Sequence, residues 1–260
     1  MDNCKSDDSC MEQIKNTVFT LSETSPDMVI YQTSMMSALL SGVYEGNTTI
    51  AELLTKGDFG LGTFNQLDGE LIAFDSQAYQ LCADGSAKLA RLDQRTPFAV
   101  MTFFAPQHKY ILGREMSRIE LHQLIDRVMV SANLSCALRF CGDFSFVHTR
   151  TVSPQQRPYR SMPEIVESQR LSHFEHCTGE LVGFRTPRCL QGINVAGYHE
   201  HFITDDRMGG GHILDFALSQ GALTFGTVKK ILVDIPEDSD FLNANLTPAN
   251  LDAAIHAVEN

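Results

Sequence analysis

Three histidines near residue 200 have a spacing that suits metal binding. His199 and His201 lie two residues apart in the segment Gly-Tyr-His-Glu-His-Phe, and in a strand two side chains at this spacing project from the same face. The turn-rich stretch 205–211 ends in three consecutive glycines, so an antiparallel return would bring His212 beside the pair. Three neutral imidazoles suit Zn²⁺, and three protein ligands leave one coordination position open. We therefore predict a catalytic zinc site at these histidines.

The other histidines give a weaker case for a metal. Two histidines spaced in this way are more often unliganded and partly exposed, and it is the third histidine and the glycine run that favour a metal. His173 and His176 have helical spacing, but we place them at a helix end before Thr178, where exposed polar residues are expected. The remaining histidines are isolated and are interpreted as surface or hydrogen-bonded core residues: His108, His122, His148 and His256.

Two polar residues in the first half of the chain are candidate partners of this centre. Glu70 follows an Asp-Gly turn, beside Thr63 on the preceding predicted strand, although a carboxylate at a turn is more often solvated. Arg150 ends a run in which strand alternation places the aromatic residues 144 and 146 on its own face. An arginine on a largely apolar face suggests an anion partner, because its fork matches a carboxylate. An edge-strand arginine that covers the sheet explains the pattern equally well.

The elements that must position these residues indicate an α+β fold. Two extended runs, 59–67 and 70–75, flank an Asp-Gly turn and predict a hairpin. Residues 153–163 carry three prolines, which favour extended chain and mark the predicted linker. We expect two mainly antiparallel or mixed β-sheet domains with flanking helices. The predicted division is a loose N-terminal arm (1–27), an N-terminal mixed-sheet domain (28–152) and a C-terminal metal-binding sheet domain (153–260).

Local signals place the remaining elements. Thr49 precedes a short helical pattern over 50–54, and Ser117 with Glu120 has the spacing of a capping box, which predicts a helix to residue 129. A short helix is predicted at 164–169, and a last helix should have Thr247 as its N-cap and Pro248 at its first position. Strands are predicted near 77–82, 97–104, 136–149, 179–184, 193–204, 212–218 and 228–235.

The overall composition restricts the classes of function. The chain has 260 residues, 43% of them apolar and 20% charged, which is typical of a globular protein. A formal net charge of −12 repels phosphate backbones and anionic lipid, so we expect neither nucleic-acid nor membrane partners. No apolar run reaches the roughly 18 residues of a membrane span, and the acidic N-terminus lacks the features of a signal peptide. We therefore predict a soluble, cytoplasmic protein.

The cysteines do not form a recognisable metal or disulfide pattern. Their number, seven, is odd, and none of them belongs to a CxxC pair. We therefore predict reduced thiols that mostly serve as small core residues, and neither a zinc knuckle nor a disulfide framework.

Five motifs occur in a specific order along most of the chain. They are GDFGLGTF at 57–64, LDGEL at 67–71, HTR at 148–150, GFRTP at 183–187 and the histidine segment. Together they resemble the α-acetolactate decarboxylase family, from about residue 34 to the C-terminus. The resemblance implies a two-domain α/β structure with a sheet in each half, the C-terminal one barrel-like, and a homodimer. The N-terminal arm and the His173/His176 pair have no counterpart in the family.

The resemblance also implies roles for individual residues. It implies zinc on the three histidines, with further residues around the substrate: Glu70, Arg150, Thr63 and Glu259. Glu259 is the natural match for a C-terminal glutamate that folds back to the metal. The implied substrate is a small 2-hydroxy-3-oxo acid, which loses CO₂ and leaves electron density that moves into its ketone oxygen as an enediolate. A metal can stabilise that charge, Arg150 would hold the carboxylate, and Glu70 or Glu259 would protonate one face to give acetoin.

Two other functions compete with this interpretation. A cupin-like oxygenase or isomerase also uses two histidines on a strand, a later histidine and a nearby glutamate. Here the expected glutamate is missing, and Asp205 and Asp206 occupy that region. A non-catalytic, metal-stabilised binding domain is the second alternative, and it would require closed coordination by four protein ligands.

Overall fold

The computed structural model describes residues 17–20, 26–166 and 169–259, and its main element is one large β-sheet. The strands are β1 (Thr17–Thr20), β2 (Met28–Thr33), β3 (Thr48–Thr49), β4 (Phe59–Thr63), β5 (Glu70–Phe74), β6 (Gln77–Leu81), β7 (Ala87–Leu89), β8 (Arg95–Thr96), β9 (Ala99–Thr102), β10 (His108–Leu112), β11 (Met116–Ser117), β12 (Ser135–Thr151), β13 (Arg170–Thr186), β14 (Gly197–Thr204) and β15 (Gly210–Asp234). The helices are α1 (Met36–Leu40), α2 (Ile50–Leu54), α3 (Arg118–Val128), α4 (Met162–Val166), α5 (Ser239–Leu242) and α6 (Leu251–Glu259).

The large sheet is mainly antiparallel and contains strands from both halves of the chain. Its main path runs β12-β13-β14-β15-β2-β9-β4-β5-β6-β7. The two halves meet where β15 lies parallel to β2, with Val228 opposite Met28. In the C-terminal half, β12 and β14 each pair with both β13 and β15. The α+β class is confirmed, whereas the domain boundaries (1–27, 28–152, 153–260) and a barrel-like C-terminal sheet stay predictions.

Buried apolar side chains of the described residues form four clusters, and the two largest hold α1, α3, α4 and α6 against the sheet. The larger cluster joins the N-terminal strands to α1, α4 and α6, and it includes Ile72, Ile165 and Ile255. The second cluster lies between α3 and the C-terminal strands, where Leu121 is buried with Phe216. Burial of each such side chain contributes about 1.5–3 kcal/mol, so helices as short as one turn are stabilised by their contacts with the sheet.

The capped helices form where the sequence predicts them, and the hairpin forms around Asp68 and Gly69. Its first strand, however, predicted over 59–67, ends at Thr63, and a 3₁₀ turn covers Asn65–Leu67. The Thr49 hydroxyl accepts the Glu52 N–H at the start of α2, and Ser117 and Glu120 make the same reciprocal capping box at the start of α3. The turn at Asp68 and Gly69 joins β4 to β5. These local signals were sufficient to predict the helix starts and the turn, because the residues that form each of them lie within a few positions of one another in the chain.

The predicted strands of the C-terminal half are too short. The strands predicted at 212–218 and 228–235 are parts of a single strand, β15, which has 25 residues. β13 is also longer than predicted, so His173 and His176 lie in a strand and the helix end predicted for them is wrong. The reason is tertiary, because β12 offers hydrogen-bonding partners along nearly the whole of β13, from Thr151 to Cys136.

Two helix boundaries and one strand boundary also differ. α4 ends at Val166, whereas the prediction continued to residue 169, and residues 167–168 lie outside the described part. The Leu251 N–H bonds the Pro248 carbonyl in a turn before α6, so Pro248 is not its first residue. β14 begins at Gly197, later than the predicted residue 193.

The N-terminal arm and the cysteines give mixed outcomes. Residues 17–20 pair with β10 as a strand, so this part of the predicted loose arm is ordered, while 1–16 and 21–25 lie outside the described residues. The described cysteines are free, as predicted, but only Cys136 among them is buried and Cys141 and Cys189 are exposed. The prediction of mostly core cysteines is therefore wrong for the described residues. No helix within the described ranges is long and apolar enough to cross a membrane.

We expect β4 to be intolerant of a side chain at Gly62. A Cβ there would lie 2.4 Å from the Phe98 carbonyl oxygen and 2.7 Å from the Ala99 Cα. These backbone atoms cannot move away without breaking the β4–β9 pairing. Gly62→Ala should therefore lower the free energy of unfolding by about 1–3 kcal/mol, measured by urea denaturation. The control is Gly113→Ala, because a Cβ at Gly113 meets nothing within 4 Å and should change stability by less than about 0.5 kcal/mol. Equal denaturation midpoints for the two variants would contradict this account.

Candidate metal centre and active site

Three histidine side chains meet where β14 and β15 pair. His201 on β14 lies directly opposite His212 on β15, and His199 projects from the same face of β14 as His201. One ring nitrogen of each histidine lies within 4.8 Å of those of the other two, and the ring centroids are 5.1–5.4 Å apart. All three side chains are buried. The antiparallel return thus gathers the three histidines at one point.

The connection between β14 and β15 explains how the strands come this close. The Thr204 N–H bonds the Gly209 carbonyl and closes a tight turn. A Cβ on Gly210 would lie 2.3 Å from the Phe202 carbonyl oxygen, and one on Gly211 would lie 2.8 Å from the Thr149 Cβ. The glycine run therefore makes room for the neighbouring strands, so that His212 can lie between β14 and β12.

The environment of the histidines favours their neutral form. Burial lowers the pKa of His199 to about 3, with a further contribution from the Arg150 charge, and burial likewise holds the pKa of His201 and His212 well below its usual range. His201 Nδ1 lies 2.8 Å from the Leu71 carbonyl oxygen and must donate to it. His201 Nε2 is then an acceptor, and it is buried with no hydrogen-bond partner among the described residues. Neutral nitrogen donors of this kind fit a Zn²⁺-type ion.

Glu70 and Arg150 lie beside the histidines. Glu70 Oε2 is 3.8 Å from His201 Nε2, and Glu70 Oε1 is 3.7 Å from Arg150 Nη1. Arg150 is 1% exposed and lies opposite His212, on a strand that pairs on both sides. The alternative of an edge-strand arginine is therefore wrong. Arg150 Nη2 donates to the Val258 carbonyl at 2.5 Å, whereas Nε and Nη1 have no hydrogen-bond partner within the described ranges.

The two remaining predicted site residues have different positions. Thr63 lies opposite Glu70 in the hairpin, lines the same cavity, and donates its hydroxyl to the Gly69 carbonyl at 2.8 Å. Glu259 is the last residue of α6, and its side chain lies outside the described part of the structure. The preceding residue, Val258, contacts Arg150, so α6 does reach the site.

The sequence did not identify the apolar wall of the cavity. Four residues from three separate segments form it with the polar groups: Met36, Leu39, Phe98 and Met162. The three segments share no motif, so only the folded chain reveals that they meet. Conversely, His173 and His176 take no part, since the three central histidines are the only group of three or more metal-binding side chains found among the described residues.

The sequence also did not reveal the buried carboxylate of Glu200. This residue lies between His199 and His201 and is 0% exposed. Burial by itself raises its pKa, but His122 and Arg118 outweigh burial and hold the pKa below its usual value, so Glu200 is anionic. Strand alternation could have identified this residue. Glu200 lies between two histidines that face the cavity, so its side chain must face the opposite side of the sheet, which is covered by a helix.

Comparisons with known proteins agree on one family. A family model described as alpha-acetolactate decarboxylase matches residues 30–248. The alpha-acetolactate decarboxylase of Raoultella terrigena is 61% identical over 252 residues, with 97% of each chain covered, and that of Klebsiella aerogenes is 59% identical over 251 residues, with 96% of each chain covered. The crystal structure of alpha-acetolactate decarboxylase from Bacillus subtilis strain 168 superposes with a TM-score of 0.87 at 40% identity, covering 89% of this chain and 99% of that one. With a match over most of its length in sequence and in structure, this chain belongs to the alpha-acetolactate decarboxylase family of enzymes.

Proposed function

We propose that this protein is a zinc-dependent enzyme that converts 2-acetolactate to acetoin and CO₂. The observation that supports this most directly is the buried cluster of three neutral histidines, two of which, His199 and His212, line one cavity with Glu70 and Arg150. Such a cavity combines nitrogen donors for a metal, a cation for an anionic substrate and a carboxylate for proton transfer.

His199, His201 and His212 would hold the metal. Three protein ligands leave room for substrate, the arrangement of catalytic zinc sites. When bound, the ion would supply Lewis-acid stabilisation of the negative charge that moves into the ketone oxygen of the substrate. The Leu71 carbonyl fixes the orientation of His201, and hydrogen bonds of this kind to a ligand imidazole increase its basicity.

Arg150 would bind and orient the substrate carboxylate. Its buried Nε and Nη1 atoms lack hydrogen-bond partners among the described residues, so each has an N–H that can donate to an oxygen of the substrate carboxylate. This contact cannot drive the reaction by itself, because the carboxylate charge disappears as CO₂ leaves and the contact favours the ground state at least as much as the transition state. Its contribution is orientation, which holds the breaking carbon–carbon bond in one geometry.

Glu70 is the proposed proton donor. After CO₂ leaves, the electron pair of the broken bond is delocalised as an enediolate, and a proton must reach the carbon that carried the carboxylate. Glu70 lies near both His201 and Arg150, on one side of the cavity, so delivery from Glu70, directly or through water, would set the configuration of acetoin. Glu259 stays the alternative donor, and Thr63 is proposed to contact the substrate beside Glu70.

The apolar wall would keep bulk water from the reacting carbon. Met36 and Leu39 of α1, Phe98 before β9 and Met162 of α4 close the side of the cavity away from the strands. Exclusion of water strengthens the electrostatic interactions within the site.

Other expectations stay predictions. They are the homodimer, the cytoplasmic location and the division into two sheet domains. The cupin-like alternative gains no support, since the comparisons point to a decarboxylase family. The non-catalytic alternative is likewise disfavoured, because only three metal-binding side chains gather at the centre within the described ranges.

The metal requirement can be tested with His199→Ala. We expect the wild-type protein to contain about one zinc per chain and to release CO₂ and acetoin from racemic acetolactate. The variant, with two imidazoles remaining, should lose zinc and activity together, and a chelator should have the same effect on the wild type. Metal content is measured by atomic emission and the reaction by CO₂ release. His176→Ala is the matched control, because this strand histidine is exposed and lies outside the cluster. A zinc-loaded wild type that releases no CO₂ would refute the proposed function.

The role of Arg150 can be separated from metal binding. Arg150→Ala should keep the zinc but lower kcat/KM by at least about 100-fold, because orientation of the substrate is lost. Arg150→Lys keeps the positive charge without the fork, so we expect only partial recovery. Thermal unfolding of both variants shows whether they are folded. Full turnover by folded Arg150→Ala would show that the carboxylate binds elsewhere.

A further inference from the structure

Helix α3 presents a row of polar residues to the strand that carries two of the histidines. Arg118, His122 and Asp126 are spaced by four residues and so lie on one face of the helix. Their partners are Tyr198 and Glu200 on β14. These two residues flank His199 and, by strand alternation, project from the face opposite the metal centre.

The contacts along this row are short and well oriented. Arg118 Nε donates to Glu200 Oε2 at 2.8 Å, and His122 Nε2 lies 2.9 Å from Glu200 Oε1. The Tyr198 ring stacks on His122 with centroids 3.6 Å apart and an interplanar angle of 3°, and its hydroxyl donates to Asp126 at 3.0 Å. Both neighbours of His199 are therefore attached to α3.

The hydrogen-bond ladder between β14 and β15 does not extend to His199. The two strands pair only from His201 opposite His212 to Ile203 opposite Gly210. Beyond this point β14 pairs with β13 alone, with Phe184 opposite His199, and β15 pairs with β12. No direct ladder bond between β14 and β15 therefore fixes the position of His199 relative to His212. Arg118 spans this gap, because its Nη1 donates to the Leu214 carbonyl of β15 at 2.9 Å while its Nε binds Glu200 of β14.

Leu214 is available for this contact because the β12–β15 register skips it. Thr149 lies opposite Ile213 and His148 opposite Asp215, with a register shift between them. One guanidinium thus joins the two ligand-bearing strands at the place where their own pairing stops. The junction is buried, since Glu200 is 0% exposed, and a buried ion pair loses much of its stabilisation when one partner is removed.

We propose that Arg118 and Glu200 are positioning residues that hold His199 at metal-binding distance from His201 and His212. They act through the β14 backbone and touch neither metal nor substrate. This inference rests on the proposed function in one respect, namely that the three histidines bind a metal.

Measuring metal affinity tests this positioning role independently of the decarboxylation reaction. The apo protein is titrated with Co²⁺ alone against a competing chelator, and the visible absorption of bound Co²⁺ reports its coordination. Glu200→Gln removes the charge between Arg118 and His122. Arg118→Lys keeps a charge but cannot reach both Glu200 and the Leu214 carbonyl with one planar fork. Both variants should bind Co²⁺ at least about ten-fold more weakly and show an altered visible spectrum, with an unchanged far-ultraviolet circular dichroism spectrum.

Glu180→Gln is the matched control. Glu180 is also a buried carboxylate held by two arginines, Arg139 and Arg207, but it lies on β13 and contacts none of the histidines. This variant loses a comparable buried charge, so it should lower the denaturation midpoint while leaving Co²⁺ affinity within about two-fold and the spectrum unchanged.

The outcomes separate this inference from the proposed function. Wild-type Co²⁺ affinity and spectrum in folded Arg118→Lys or Glu200→Gln would overturn the positioning role, and so would equal weakening in Glu180→Gln. If Glu200→Gln fails to fold, Arg118→Lys decides the question. A wild-type protein that binds no Co²⁺ would overturn the metal centre and this inference with it. A wild type that binds Co²⁺ but, loaded with zinc, releases no CO₂ would overturn only the reaction.

Discussion

The register between β14 and β15 is the constraint on which the site depends. With His201 opposite His212, three imidazoles meet on one face of the sheet. A slip by one residue would turn every side chain of β15 to the other face and remove His212 from the group. The glycines at 210 and 211 permit this register, because the adjacent strands approach too closely for a side chain there. Arg150 depends on it as well, since it pairs with His212 from the other side.

The electrostatics of the site differ from those of the chain as a whole. The formal net charge of −12 opposes the approach of an anion, yet a buried cation, Arg150, lines the cavity at 1% exposure. The three histidines beside Arg150 are neutral, because burial lowers their pKa. A carboxylate that enters the cavity therefore meets a local positive charge that the low dielectric of the interior strengthens.

Local sequence predicted the parts of this protein that depend on near neighbours. The capping boxes of α2 and α3, the hairpin that places Glu70 beside Thr63, and the return of β15 toward β14 all follow from a few adjacent residues. The length of β13 and β15, the apolar wall and the Glu200–Arg118 contact do not, because each depends on partners in other strands or helices, well beyond the local sequence, or on several segments at once. Alternation within β14 did indicate that Glu200 faces away from the histidines, but not which helix covers it.

The parallel pairing of β2 with β15 affects how the chain folds during synthesis. The paired segments lie roughly two hundred residues apart, and contacts of such long range slow folding, because the loop between them must be closed before the contact contributes. On the ribosome, β2 emerges long before β15 exists. Until β15 is synthesised, the β2 edge that pairs with it is exposed, a condition that favours aggregation, and the histidine cluster can assemble only after His212 has left the ribosome.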